Sequence, residues 1–168
     1  MNAGQKAAIG ALSATLIAVG YAAPRIAEHE GWVSKGYYDS VGVKTRCLGS
    51  TKGAIVIGKE YSPRECMDLY AEDLLTHGLE IAPYLPAEMP PKARAAFIET
   101  SFNIGTGAFA KSSMSRKAMA GDLRGACEAI GLYVYAQGRD CRIRSNNCYG
   151  VVTRRESEKR YCLAGLAG

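Results

Sequence analysis

Residues 7–23, AAIGALSATLIAVGYAA, run for seventeen positions without a charge, with Lys6 before them and Arg25 after. An uncharged run flanked by basic residues is an export-type segment. Its apolarity is weak, because eleven of the seventeen are Ala, Gly, Ser or Thr, and its length falls short of the roughly 20 residues that comfortably span a bilayer core. Insertion is therefore expected to be marginal and reversible. A cleavable signal peptide and a buried Ala-rich helix of a soluble domain are the competing readings. Pro24 speaks against a cut after Ala23, since it would occupy the first position beyond it.

Beyond this run the pattern changes to short alternations and then to helical periods. Pro24 fits the first turn of a short helix, PRIAEHE, which Gly31 would end. KGYYDSVGVKTRCLGS is rich in β-branched and aromatic residues broken by glycines, and AIVIG at residues 54–58 is another short apolar run. Together they predict a small antiparallel sheet of two or three strands. Ser62, Pro63 and Glu65 form an N-cap, a first-turn proline and a capping-box carboxylate ahead of Cys66, Leu69, Tyr70, Leu74 and His77 on one helical face. Helices are predicted over residues 91–104, 113–120, 122 to about 135, and 153–163, the last with Thr153 and Glu156 as a second capping box. The fold class is thus α+β and mainly helical: a small β lobe over about residues 25–61, and an interlobe helix with a larger α lobe over about residues 62–168. A cleft between lobes is the natural place for a ligand.

At 168 residues the chain suits one well-buried domain. The net charge of +5 favours an anionic partner, but no nucleic-acid motif accompanies it, so no nucleic acid is expected. Six cysteines without a CxxC pair argue against a zinc site and for disulfides in an oxidising compartment. His29 and His77 are far apart and outside any HExxH motif, so neither metal nor other cofactor is expected.

Candidate chemistry concentrates in EGWVSKGYYDSVGVKT, residues 30–45. Glycoside hydrolysis uses one protonated carboxyl group to protonate the leaving oxygen and one carboxylate to direct water or stabilise the cation-like transition state. Glu30 closes a predicted helix, where the negative end of the dipole disfavours ionisation, and Trp32 beside it would desolvate it further. Asp39 lies in a turn-prone DSVG whose backbone N–H groups favour a carboxylate. A helix-end Glu and a turn Asp nine residues apart also occur without any catalytic meaning, and Thr45 alone adds little.

The ordered set, EGWVSKGYYDSVGVKTRCLGST, resembles the active-site segment of the phage-type lysozymes, glycoside hydrolase family 24, with its Glu, its Asp nine residues on and its Thr six beyond. SPREC resembles the start of that family's interlobe helix, FIETSFNIGTGAFAKSSMSRKAMAGD its central α-lobe segment and VVTRRESEKRYC its closing helix. The resemblance implies a lysozyme-like fold in which Glu30 is the general acid, Asp39 the residue that positions or activates water, and Thr45 a hydroxyl that holds that water. It implies weaker sugar contacts at Thr51, Phe102 and Ser112. Family members often read Gly-His-Thr where this chain has Gly49, Ser50 and Thr51.

A weakly apolar segment ahead of such a domain resembles the signal-arrest-release endolysins. The resemblance implies tethering at the host inner membrane through residues 7–23, release to the periplasm on activation, peptidoglycan as substrate and lysis of the host, with residues 1–24 as the segment and 25–168 as the enzyme. A monomer is expected. No cysteine precedes Cys47, which excludes an intramolecular thiol switch with the membrane segment. Sequence order suggests Cys47–Cys66, Cys127–Cys162 and Cys141–Cys148, one of fifteen pairings. The alternatives are a lytic transglycosylase and a non-catalytic wall-binding or membrane-active lysis protein.

Overall fold

The uncharged N-terminal stretch and the residues after it form one helix, α1 (Ala3–Glu30), with Pro24 inside it. The computed structural model of the protein describes residues 2–30, 33–39, 42–47, 49–51 and 53–168, with the backbone alone at Ala3, Ala7, Ala8 and residues 26–30. The break predicted at Pro24 is absent. A proline withholds one N–H and crowds the carbonyl four residues back. That residue is Gly20, where even an added Cβ would meet nothing within 4 Å, and both positions are exposed. Water can satisfy the freed carbonyl, so the helix continues.

One face of α1 is covered. Thr15, Ala18, Val19 and Ala22, at helical spacing, are 0–7% exposed in contacts with α2 (Pro63–Ile81) and α3 (Pro91–Ile104). Small residues on both sides allow this approach. A Cβ at Gly78 on α2 would lie 2.5 Å from Thr15 Cγ2 and 3.1 Å from Ile98 Cδ1. The apolar segment is thus a structural member of the α lobe, its Ala18, Val19 and Ala22 in one core with Tyr70, Phe97 and Ile98.

α2 starts as its sequence requires: the Ser62 hydroxyl accepts the Glu65 N–H at 3.2 Å and Glu65 returns a carboxylate to the Ser62 N–H at 2.8 Å. α3 opens on Pro91, and its residues 93–101 are all buried, between α1, α2 and α7 (Tyr149–Leu166). Gly165 on α7 allows another close approach, since a Cβ there would sit 2.7 Å from the Ala93 backbone nitrogen. α4 (Thr106–Ala110), α5 (Ser113–Met119) and α6 (Leu123–Ala129) complete the lobe.

Two α-lobe boundaries differ from the pattern-based ones. The helix expected to about residue 135 stops at Ala129, and after a 3-10 turn the chain forms a second hairpin, β3 (Tyr135–Ala136) with β4 (Arg139–Asp140). Gln137 and Gly138 between them have φ of 50° and 76°, the two-residue turn that matches hairpin twist. The last helix begins at Tyr149 rather than Thr153, with Cys148 at its N-cap. Thr153 is therefore inside it and caps nothing. The Cys141–Cys148 bridge and the Arg144 guanidinium, 3.3 Å from the Tyr149 ring centre, fix the earlier start.

The β lobe holds an antiparallel pair, β1 (Tyr37–Tyr38) and β2 (Lys44–Thr45), with Tyr37 opposite Thr45. AIVIG is not a strand. It returns beside Gly36, whose N–H donates to Lys59 O at 3.0 Å while its carbonyl accepts the Gly58 N–H at 2.8 Å. Cys47–Cys66 ties this lobe to α2, and Cys127–Cys162 ties α6 to α7. All three bridges, with Cys141–Cys148 nested inside Cys127–Cys162, join the expected partners. Each closed loop restricts the unfolded chain and contributes roughly 2–4 kcal/mol.

Candidate active site

Glu30 is the last residue of α1, so its helix-end placement agrees with the sequence reading. Its side chain, and the neighbouring Trp32, lie outside the described residues. The hairpin that follows supplies the other two groups. Asp39 comes directly after β1, where its N–H donates to Val43 O at 2.9 Å and its Oδ1 accepts the Val43 N–H at 2.8 Å. Thr45, 3% exposed on β2, donates its hydroxyl to the same Val43 carbonyl at 3.1 Å. One turn residue thus orients both side chains. The Thr45 donor is spent on the backbone, which leaves its oxygen as an acceptor.

The three expected sugar contacts are not alike. Thr51 is exposed just after the hairpin. Phe102 is half-buried on α3, edge-on to Tyr70 with ring centres 5.9 Å apart and 5.0 Å from the His77 ring. Ser112 is buried at the N-cap of α5, where its hydroxyl accepts the Ser115 N–H at 3.0 Å. His77 is on α2, four residues before that helix ends, with Nδ1 2.8 Å from the Asp73 carbonyl.

A buried charge network escaped the sequence reading. Arg25, five residues before Glu30 on α1, donates from Nε to Glu99 Oε1 at 2.6 Å and from Nη2 to Ser157 Oγ at 3.1 Å, with its guanidinium 3.9 Å from the Tyr161 ring centre. Arg155, fully buried on α7, donates to Glu158 Oε2 at 2.6 Å and to Asn103 Oδ1. Glu158 also lies 2.9 Å from the Thr100 hydroxyl. These contacts pin the C-terminal part of α1 to α3 and α7, about two turns of chain or less from Glu30. The signal in the sequence was a Glu inside the apolar run AAFIETSF and an Arg at the edge of the uncharged segment. Asn103 also lines a groove of about 580 Å³ with Ile104, Tyr133, Tyr135 and Val151, which the second hairpin creates.

Burial pushes the Glu99 carboxyl group up to about 7, against the pull of Arg25, and moves Glu158 upward too. The unfolded chain releases the Glu99 proton near 4.5, the folded chain near 7. Between those values the native state binds more protons, so stability falls as pH rises and levels off above about 7. This one group amounts to about 3 kcal/mol. Thermal melts from pH 4.5 to 8 are expected to show that decline, and Glu99→Gln to flatten it. An equal slope in the variant would assign the effect elsewhere.

A small hairpin lobe joined by a long helix to a helical lobe is the architecture of the lysozyme-like folds. The chain belongs to the phage lysozyme family, whose model matches residues 27–158. It is 38% identical over 129 residues to the SAR-endolysin of Enterobacteria phage P21, covering 77% of this chain and 74% of that one. To the SAR-endolysin of Escherichia phage 933W it is 37% identical over 161 residues, 90% of each chain. Among solved structures it resembles a variant of P22 lysozyme, with a TM-score of 0.74 and 26% identity over 84% of this chain and 94% of that one. The active form of the P1 phage endolysin Lyz shares the fold, with a TM-score of 0.72 and 24% identity over 84% and 82% of the two chains. The protein is therefore a lysozyme, an enzyme that lyses cell walls by glycoside hydrolysis.

Proposed function

We propose that the protein cleaves the β-1,4 bond between N-acetylmuramic acid and N-acetylglucosamine in peptidoglycan, with Glu30 as general acid and Asp39 directing the attacking water. The observation that carries this is the Val43 anchor, which holds Asp39 and Thr45 to one turn immediately downstream of the helix that ends at Glu30. Glu30 protonates the departing glycosidic oxygen. Asp39 takes a proton from water on the other face of the sugar, and the Thr45 oxygen, whose own proton is committed to Val43, accepts a hydrogen bond from that water. Thr51 meets the sugar from the exposed side of the hairpin, while Phe102 and Ser112 shape the wall from α3 and α5.

Residues 1–24 act as a signal-arrest-release segment and residues 25–168 as the enzyme. Gly4–Arg25 is long and apolar enough to cross a membrane, which supports tethering at the periplasmic face of the host inner membrane and later release. The buried stripe Thr15, Ala18, Val19 and Ala22 supports the released state, a monomer in which the segment has folded onto the α lobe. Digestion of purified sacculi followed by analysis of the sugar ends tests the chemistry. Reducing muramic acid termini are expected; anhydro ends would make the enzyme a lytic transglycosylase instead.

A further inference from the structure

Folding onto the α lobe satisfies only one side of α1. Of its membrane-competent span, 25% is buried, and the opposite face carries Ile9, Leu12, Leu16, Ile17 and Tyr21, each between 40% and 54% exposed. Gly10, Ser13, Gly20 and Pro24 fill the rest of that face. No charge stands on it between Lys6 and Arg25. A helix on the surface of a globular protein ordinarily turns charged residues outward. A segment that must first enter a bilayer has none to turn, so docking leaves half of a lipid-compatible cylinder facing outward.

We propose that the folded enzyme holds to the surface of an anionic phospholipid bilayer through this outward face of α1, lying in the interface rather than across it. The inference rests on the signal-arrest-release reading and extends it to the state after release. A continuous apolar face about three turns long, with a tyrosine near one end, is the pattern of an interfacial helix. The charge around it suits anionic headgroups: Lys6 is exposed at the start of the span, and Lys92 lines the same groove as Tyr21. Glu88 shares a groove with Lys6 and Arg94. The chain as a whole carries +5. A released enzyme held in this way would stay beside the inner membrane and work on the wall from that side.

The test uses purified full-length protein, free of detergent, with sedimenting vesicles of phosphatidylcholine alone or with phosphatidylglycerol. Wild type is expected to sediment with the anionic vesicles, to be extracted by alkaline carbonate, and to keep its activity on sacculi. The triple variant Ile9→Ser, Leu16→Ser, Ile17→Ser alters only exposed positions, so it should melt as wild type does and bind about ten-fold or more weakly. Wild type left in the supernatant, or equal binding by the triple variant, overturns the proposal. So does a doubled mass by light scattering that the triple variant abolishes, which would make the face a dimer contact. Binding that resists carbonate would mean reinsertion across the bilayer and also counts against it. Release itself is followed separately, as full-length chain in the membrane fraction of depolarised cells passing from carbonate-resistant to carbonate-extractable. Release without vesicle binding ends this proposal alone, whereas a chain never found in the membrane ends the signal-arrest-release reading.

Discussion

Glu30→Gln is expected to lower muralytic turnover by roughly 10²- to 10⁴-fold while leaving the fold intact. The amide keeps the shape of the side chain and removes the proton that the leaving oxygen needs. Because α1 ends at Glu30, the neutral amide, like the protonated acid it replaces, sets no negative charge against the negative end of the helix dipole, so stability should not fall. Lower activity together with an equal or higher melting temperature is therefore the combined signature. A variant that lysed sacculi at the wild-type rate would refute the acid role, and with it the catalytic account of the hairpin. A variant that lost activity only by unfolding would say nothing for catalysis, which is why the melt belongs to the same experiment.

The parts of this fold that were legible from sequence are those whose local chemistry is self-contained. Ser62, Pro63 and Glu65 specify a helix start with no help from the rest of the chain, and the capping box is present. The order Glu30, Asp39, Thr45 falls on a helix end and a two-stranded hairpin as its turn residues require. The misread parts depend on contacts between segments. Pro24 permits a continuous helix only because Gly20 offers it room on an open face. Thr153 looked like a cap, yet the Cys141–Cys148 bridge and the Arg144–Tyr149 stack move the helix start four residues earlier. Glu99 and Arg25 are separated by 74 positions, and no local pattern links them. The docking of the apolar segment belongs with these, because its buried side is defined by residues on other helices, Gly78 among them.

That docking contact carries the second large effect. Gly78→Ala places a methyl group 2.5 Å from Thr15 Cγ2, so α1 must move away from α2, at a cost of about 1–3 kcal/mol. Thr15→Ala removes the Cγ2 atom, and otherwise gives up only a bond from its hydroxyl to the Ala11 carbonyl within the same helix. The double variant is expected to regain most of the stability that Gly78→Ala loses, a coupling that additive, independent sites do not show. The contact at 3.1 Å with the flexible end of Ile98 remains in both, which keeps the rescue short of complete. In denaturant melts a purely additive cycle would mean that α1 does not rest on Gly78. The same cycle predicts behaviour in cells, since a change of about 1.4 kcal/mol moves a two-state equilibrium about ten-fold. If residues 7–23 divide between bilayer and α lobe, Gly78→Ala favours the bilayer by weakening the competing site, slows lysis, and yields to the same Thr15→Ala rescue. Gly20→Leu favours the bilayer from the other side, by adding apolar surface at a position open in the docked helix, so its delay of lysis should be indifferent to Thr15→Ala.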